Sequence, residues 1–121
     1  MYIRYQSPDS DHRGRRIGIF GLVNDLGRRG LLTTEEESFR RENNAWYDAA
    51  YQDPSQLDPT VYRDNPLAAS WFKPAADRLF TRIPGYLAIL NSHNIPCTRA
   101  TSPNPGQILY EDPDQIVVIP H

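Results

Sequence analysis

The apolar run Ile116-Val117-Val118-Ile119 near the end of the chain constrains the fold more than any other feature. Four consecutive β-branched residues favour a buried β-strand, because branched side chains pack well on a pleated sheet. Residues 107–110 are also strand-like, and a turn-forming Glu-Asp-Pro-Asp sequence at 111–114 separates the two segments. We therefore predict an antiparallel β-hairpin at this end of the chain.

The middle of the chain contains a strong start signal for a helix. Thr33 and Glu36 have the spacing of a capping box, and acidic residues at 35–37 suit the positive end of a helix dipole. One face of this helix, at helical spacing, carries Phe39, Asn43, Trp46 and Ala50. We expect that face to be buried, since large aromatic side chains dominate it.

The remaining segments predict one more strand and further helices. Residues 1–5 are rich in Tyr and Ile and lead into a Ser-Pro-Asp turn, which indicates a short strand. Helices are predicted from Ile17 to a stop at Gly30, across residues 67–83 with a kink or late start at Pro74, and from Pro84 to Asn94. Residues 53–65 contain Pro54 and Pro59 and are expected to form a loop.

This order of elements predicts the fold class. A strand, three to four helices and then more strands is typical of an α+β domain with helices on one face of a sheet. We expect a small antiparallel sheet, the N-terminal strand plus the C-terminal hairpin, packed against three to four helices. A chain of 121 residues suits one core, so we predict a single domain spanning residues 1–121.

Composition narrows the classes of partner. Thirteen basic and fifteen acidic residues give a net charge of −2, which disfavours nucleic acid as the main partner. The single Cys97 excludes an intrachain disulfide framework. No signal-peptide or membrane-span pattern is present, so we predict a cytoplasmic protein without a membrane partner. The sequence leaves open whether the chain forms a homo-oligomer.

Three arginines just before the first predicted helix form the strongest candidate for a binding site. Arg13, Arg15 and Arg16 flank Gly14, so their guanidinium groups and the free amides of the helix could converge on a phosphate or carboxylate. The segment lacks the glycine spacing and the Lys-Ser/Thr of a P-loop. The alternative is an exposed charged loop.

Aromatic residues suggest a second candidate feature, a pocket with an amide at its polar end. Its predicted ligand-binding residues are Asn43, Trp46, Tyr47, Trp71 and Tyr86. Asn43 interrupts an apolar helix face, and a buried amide must find hydrogen-bond partners. The alternative is that these aromatic residues are plain core.

Two other clusters carry weaker signals. Asp9, Asp11 and His12 lack the further ligands that calcium or zinc would need. His93 and Cys97 are separated by residues that break a helix, which disfavours a nucleophile and its base. We therefore predict no metal and no cofactor, and the sequence identifies no catalytic residue.

Four segments taken together suggest a relationship to other proteins. They are NAWYDAAY at 44–51, WFK at 71–73, PGY at 84–86, and YED at 110–112 followed by QIVVIP at 115–120. In these segments the chain resembles a family of small single-domain proteins of uncharacterised activity from actinomycete bacteria. The resemblance implies a complete bacterial domain and no particular activity.

Two functions remain after these exclusions. The leading hypothesis is a non-catalytic accessory or regulatory module that binds another protein through an aromatic or Arg-rich surface. The alternative is a small metal-independent enzyme or ligand-binding protein, with an aromatic pocket and an Arg-lined anion site. Whether the protein is an enzyme is left open.

Overall fold

The computed structural model describes residues 1–121. In chain order its elements are β1 (Tyr2–Gln6), α1 (Ile19–Arg28), α2 (Thr34–Ala50), α3 (Pro54–Leu57), α4 (Thr60–Arg63), β2 (Ala69–Phe72), α5 (Ile83–Ser92), β3 (Thr98–Ser102), β4 (Gly106–Glu111) and β5 (Gln115–Pro120). A 3-10 turn at Asp77–Phe80 precedes α5. The five strands form one sheet in the order β3-β1-β2-β5-β4, and every neighbouring pair is antiparallel. The predicted α+β class is confirmed.

The C-terminal hairpin forms as the sequence predicts. β4 and β5 pair from Gly106↔Pro120 to Glu111↔Ile116, with a bulge between Ile108 and Tyr110. Ile116, Val117 and Val118 are fully buried. This apolar strand is therefore central to the sheet, with β2 on one side and β4 on the other.

Helices α1, α2 and α5 pack together against the sheet. The largest group of buried side chains contains Ile19, Val23 and Leu26 of α1, Tyr47 of α2, Ile83, Tyr86, Ile89 and Leu90 of α5, and Phe72, Ala76 and Leu79 between them. Gly30 ends the first helical segment with φ 67°, the left-handed conformation that glycine adopts most easily. No helix is both long enough and apolar enough to cross a membrane.

The capping box at the start of α2 is present, but the inward line of this helix differs from the predicted one. The Glu36 amide donates to Thr33 Oγ1 at 3.1 Å, and the Thr33 amide donates to Glu36 Oε1 at 2.9 Å. Asn43 and Tyr47 are the two buried residues of α2. Phe39 and Trp46 are only half-buried, because they lie on the flanks of that line.

The helix predicted across residues 67–83 is wrong. Residues 69–72 form β2, which pairs with β5 from Ala69↔Val118 to Phe72↔Gln115. The four residues with helical spacing are all buried, but they reach the core from a strand, a turn, the 3-10 turn and α5: Phe72, Ala76, Leu79 and Ile83. Pairing with the most apolar strand of the chain outweighed the local spacing. The predicted loop at 53–65 contains two single-turn helices, α3 and α4.

Candidate functional site

The sheet opens between β1 and β2. β1 pairs with β3 at five positions, from Tyr2↔Ser102 to Gln6↔Thr98, but with β2 only at Ile3↔Phe72. The loop before α1 runs beside the far end of β1, where the Ser7 amide donates to the Ile17 carbonyl at 2.8 Å. The missing part of the β1–β2 ladder leaves space for side chains.

A cavity of about 600 Å³ lies at this opening, and we name it the arginine cavity. Its walls come from β1, residues 14–18, residues 62, 66–69 and 71, and Pro105, Pro120 and His121. Arg4, Arg15 and Arg16 line it, and no Asp or Glu side chain does. The charged side chains of its lining are therefore basic, and Asp11, which lies outside the lining, is within ion-pair distance of Arg15.

Arg4 holds the opening together through uncharged acceptors. Its Nη1 donates to the Ser70 carbonyl at 2.9 Å, its Nη2 to the Arg16 carbonyl at 2.9 Å, and its Nε to Gln6 Oε1 at 2.9 Å. Burial lowers the pKa of Arg4, and no carboxylate pairs with it. A guanidinium carries five N–H donors, so two of them remain for a ligand.

Asp11 shapes the loop that carries the other two arginines. Its Oδ1 accepts from the amides of Arg13 and Arg15, both at 2.9 Å, and Gly14 turns the chain with φ 81°. The Arg15 amide is the main cause that lowers the pKa of Asp11. The loop therefore has a defined shape that presents Arg15 and Arg16 to the cavity.

The guanidinium groups of this loop keep most of their donors. Arg15 Nε lies 3.4 Å from Asp11 Oδ2, within ion-pair distance but without hydrogen-bond geometry, and its Nη atoms have no protein partner. Arg16 donates one Nη1 hydrogen bond to the Pro8 carbonyl. Both side chains can therefore bond an added acceptor without first breaking a strong ion pair.

Two aromatic side chains form the apolar part of the arginine cavity. Trp71 of β2 is half-buried, and Tyr62 of α4 is 36% exposed. Burial raises the pKa of Tyr62, so the phenol is neutral at ordinary pH. The cavity thus combines flat apolar surface with three cationic groups.

A second cavity, of about 310 Å³, lies between α1, α2 and the α3–α4 segment, and we name it the tyrosine cavity. Phe20, Tyr47, Tyr51 and Tyr62 contribute its rings, and Asp48 and Asp53 contribute its only charges. Tyr62 is the one residue that lines both cavities.

The predicted binding residues are distributed over several places. Arg15, Arg16 and Trp71 meet in the arginine cavity, as part of the predicted Arg-lined site. Arg13 belongs to the same loop, but it is exposed and does not line the cavity. Tyr47 is buried and lines the tyrosine cavity instead. The single pocket combining Arg and aromatic residues with Asn43 is therefore not what the fold builds.

Asn43 and Trp46 line neither cavity. Both side chains contact Arg82 instead. Asn43 Oδ1 accepts from Arg82 Nη1 at 2.9 Å, while Asn43 Nδ2 donates to the Phe39 carbonyl at 2.8 Å. The Arg82 guanidinium lies 4.3 Å from the centroid of the Trp46 ring, a cation–π contact. This buried amide is satisfied within the protein and has a structural role.

Tyr86 belongs to the core. It is 0% exposed, and its hydroxyl donates to Asn44 Oδ1 at 2.7 Å. The ring of Phe20 lies 5.1 Å away, edge to face. Tyr86 therefore supports the back of the tyrosine cavity without lining it.

Sequence reasoning missed Arg4 and Tyr62. Arg4 interrupts an apolar strand between Ile3 and Tyr5, and that central charge was a signal that something must accept it. Tyr62 gave no comparable signal, since it lies in a polar segment expected to be a loop. Its position depends on how α4 folds back over the sheet.

The weaker clusters do not form sites. Asp11 is occupied with the loop amides, and His93 Nε2 lies 2.9 Å from Glu36 Oε1 rather than next to Cys97. Burial raises the pKa of Cys97, which disfavours the nucleophilic thiolate. No group of three or more His, Cys, Asp or Glu side chains is arranged to hold a metal ion.

Comparison with known proteins adds no assignment to this geometry. No protein-family model matches the chain, and no curated protein and no solved structure matches it significantly.

Proposed function

We propose that the protein binds a small anionic molecule in the arginine cavity, a carboxylate or phosphate attached to an apolar or aromatic group. The observation that carries this proposal is a cavity lined by three arginines and by no Asp or Glu side chain. Buried or partly buried cations are normally paired. Asp11 lies within ion-pair distance of Arg15, but Arg4 and Arg16 have no carboxylate partner, so the excess of positive charge favours an anion as the occupant.

The donors have the chemistry that such an anion needs. Arg4, Arg15 and Arg16 each retain N–H groups without protein partners, and planar guanidinium groups match carboxylate and phosphate oxygens in pairs. Arg4 is fixed by three hydrogen bonds, so little conformational entropy is lost when a ligand binds to it. The rest of the ligand would lie against Trp71 and Tyr62.

The volume favours a small molecule over an inorganic ion. About 600 Å³ lies within the range of cavities that hold drug-sized ligands, and an ion alone would leave the aromatic walls uncovered. The proposed function is binding, since no nucleophile and base are held together in this cavity.

Protein binding, the leading hypothesis from the sequence, stays a prediction. The larger exposed apolar side chains lie on separate segments: Met1, Leu31, Leu57, Leu67 and Ile108. Leu67 already belongs to the wall of the arginine cavity. These side chains offer no argument for a protein partner comparable to the excess of arginines in the cavity.

The test compares charged and neutral forms of one small ligand. Benzoate and phenyl phosphate are titrated by calorimetry, with neutral benzamide as the matched control. We expect the two anions to bind and to lose affinity about tenfold in Arg15→Gln, because a charge-assisted hydrogen bond is removed. Arg13→Gln removes the same charge from the same loop, outside the cavity, and should stay within about twofold of the unsubstituted protein.

Three results would contradict the proposal. They are equal binding of benzamide and benzoate, equal loss in the Arg13 and Arg15 variants, and no saturable binding of either anion. The pair of loop variants separates a local site from a general effect of net charge, since both proteins carry the same charge.

A further inference from the structure

The aromatic walls of the tyrosine cavity meet at steep angles. The Tyr47 and Tyr51 rings have centroids 6.3 Å apart with their planes at 89°. The Phe20 ring lies 4.7 Å from Tyr47, tilted by 60°. Edge-to-face contacts of this kind are typical of packed aromatic side chains, and the same three rings also line the cavity, together with Tyr62.

The charges of this cavity are all negative. Asp48 and Asp53 are its charged lining residues, and no Lys, Arg or His side chain lines it. Asp48 makes no ion pair and accepts no side-chain or amide hydrogen bond. Asp53 uses Oδ1 to cap α3, accepting from the Ser55 amide at 2.9 Å, and keeps Oδ2 unbonded.

The polar groups behind the rings are already committed to one another. Tyr86 donates to Asn44, and Asn44 Nδ2 donates to Asn24 Oδ1 at 2.7 Å. Gln115, 1% exposed, donates through Nε2 to the Gln52 carbonyl at 2.7 Å and so fixes the backbone beside Asp53. The cavity is therefore a preformed space with fixed walls.

The phenol of Tyr51 stays protonated in this setting. Burial first, and then the neighbouring phenols and Asp48, raise the pKa of Tyr51. A neutral ring keeps its full quadrupole and presents a negative face to the cavity without adding a formal charge.

We propose that the tyrosine cavity binds an organic ammonium group, held by the faces of its aromatic rings and by the carboxylates of Asp48 and Asp53. Aromatic rings around a carboxylate attract a cation that is itself partly apolar, such as a quaternary ammonium, because it loses little hydration on entry. A metal ion would instead need several converging oxygen ligands, and no such group is present. This site is independent of the arginine cavity except for the shared wall of Tyr62.

The experiment titrates the protein with choline and tetramethylammonium, observed by NMR and calorimetry. The uncharged control is 3,3-dimethylbutan-1-ol, which has the shape of choline with carbon in place of the charged nitrogen. We expect both cations to bind with dissociation constants on the order of 1–10 mM and the alcohol to bind at least about tenfold more weakly.

Matched variants locate the site. Asp48→Asn should weaken choline binding about fivefold, since it removes a nearby negative charge while leaving an exposed, unbonded side chain of the same shape. Glu42→Gln removes one negative charge from an exposed position on the same helix and should change binding less than about twofold. Tyr51→Leu should weaken binding about tenfold, with circular dichroism to verify the fold.

The origin of the ammonium group is decided by a further titration with acetyl-trimethyllysine amide. Stronger binding of choline indicates a free small molecule, and stronger binding of the lysine derivative indicates a modified side chain; both results support an ammonium site. The proposal is overturned by equal binding of the neutral alcohol, by unchanged affinity in both Asp48→Asn and Tyr51→Leu, or by no saturation below about 50 mM.

Discussion

The arginine cavity and the tyrosine cavity share a wall but have opposite charge. The first has three cationic side chains and no Asp or Glu, and the second has two carboxylates and no basic residue. β2 separates them, because successive side chains of a strand point to opposite faces. Ala69 and Trp71 line the arginine cavity, while Ser70 lies on the tyrosine cavity. One short strand thus keeps two kinds of binding chemistry apart.

The two cavities also differ in the side chains that hold each one open. Arg4 bridges the gap at the arginine cavity with charged donors, whereas Gln115 and Asn44 fix the tyrosine cavity with neutral amides. A charged group can hold a wall and bind a ligand at once. The neutral amides are already hydrogen-bonded within the protein, so a ligand in the tyrosine cavity would contact the aromatic rings and the carboxylates.

The largest effect is expected from Arg4→Met. Loss of the guanidinium should weaken benzoate binding about fifty-fold and lower the free energy of unfolding by about 1–3 kcal/mol, since the Ser70 and Arg16 carbonyls lose their donor. Calorimetry and urea unfolding measure the two effects. Choline binding should change less than about twofold, because Arg4 does not line the tyrosine cavity.

Arg4→Lys is the control for this substitution. Lysine keeps the charge but lacks the planar fork that bonds three acceptors, so an intermediate loss of benzoate binding is expected. Equal loss of benzoate and choline binding in Arg4→Met would mean that the two cavities respond as one unit, and the comparison would then break down.

The next largest effect is expected from Gln115→Leu. This buried amide is replaced by a side chain that leaves the Gln52 carbonyl without its donor, so the free energy of unfolding should fall by about 2 kcal/mol. Choline binding should weaken while benzoate binding stays unchanged. Gln107→Leu makes the same replacement at an exposed position of the hairpin and should leave both stability and binding intact.

Asn43→Ala tests whether the aromatic face of α2 is purely structural. We expect a loss of about 1 kcal/mol in the free energy of unfolding, because Arg82 loses an acceptor, and no change for either ligand. Asn91→Ala, at an exposed position of α5 with no side-chain bond, is the control. A change in ligand binding in Asn43→Ala would instead support the pocket that the sequence predicted around this amide.

Local signals explain which parts of the fold could be predicted. The capping box of α2, the C-terminal hairpin and the stop at Gly30 each depend on residues close together in the chain. β2 could not be predicted in this way, because its strand conformation depends on pairing with β5, more than forty residues later. Spacing showed that Phe72, Ala76, Leu79 and Ile83 are buried but not which element carries each of them to the core.

The sites were harder to predict, because both depend on distant partners. Arg4 and Ser70 are 66 residues apart, and the opening that they span exists only where β1 and β2 separate. The arginine loop was identified from its composition, but the third arginine of the cavity, Arg4, belongs to β1. The aromatic residues were also identified, yet only the fold decides that Trp71 and Tyr47 belong to different cavities while Trp46 pairs with Arg82.

The smallest predicted effect concerns pH and the loop of the arginine cavity. The pKa of Asp11 in the folded protein is lowered from its ordinary value of 3.8, chiefly by the Arg15 amide. The ionised carboxylate therefore stabilises the folded loop at pH values above 3.8. This stabilisation of the loop is lost as the pH falls through the pKa of Asp11 in the folded protein. We expect sulfate binding to stay level as the pH falls to about 4 and to weaken about threefold below that value, as Asp11 becomes protonated in the folded protein. In Asp11→Asn the amide oxygen can still accept from the loop but does not titrate, so its affinity should stay flat over that range. A parallel decline in both proteins would assign the pH dependence to other carboxylates and would leave the arginine cavity without its proposed acid-sensitive loop.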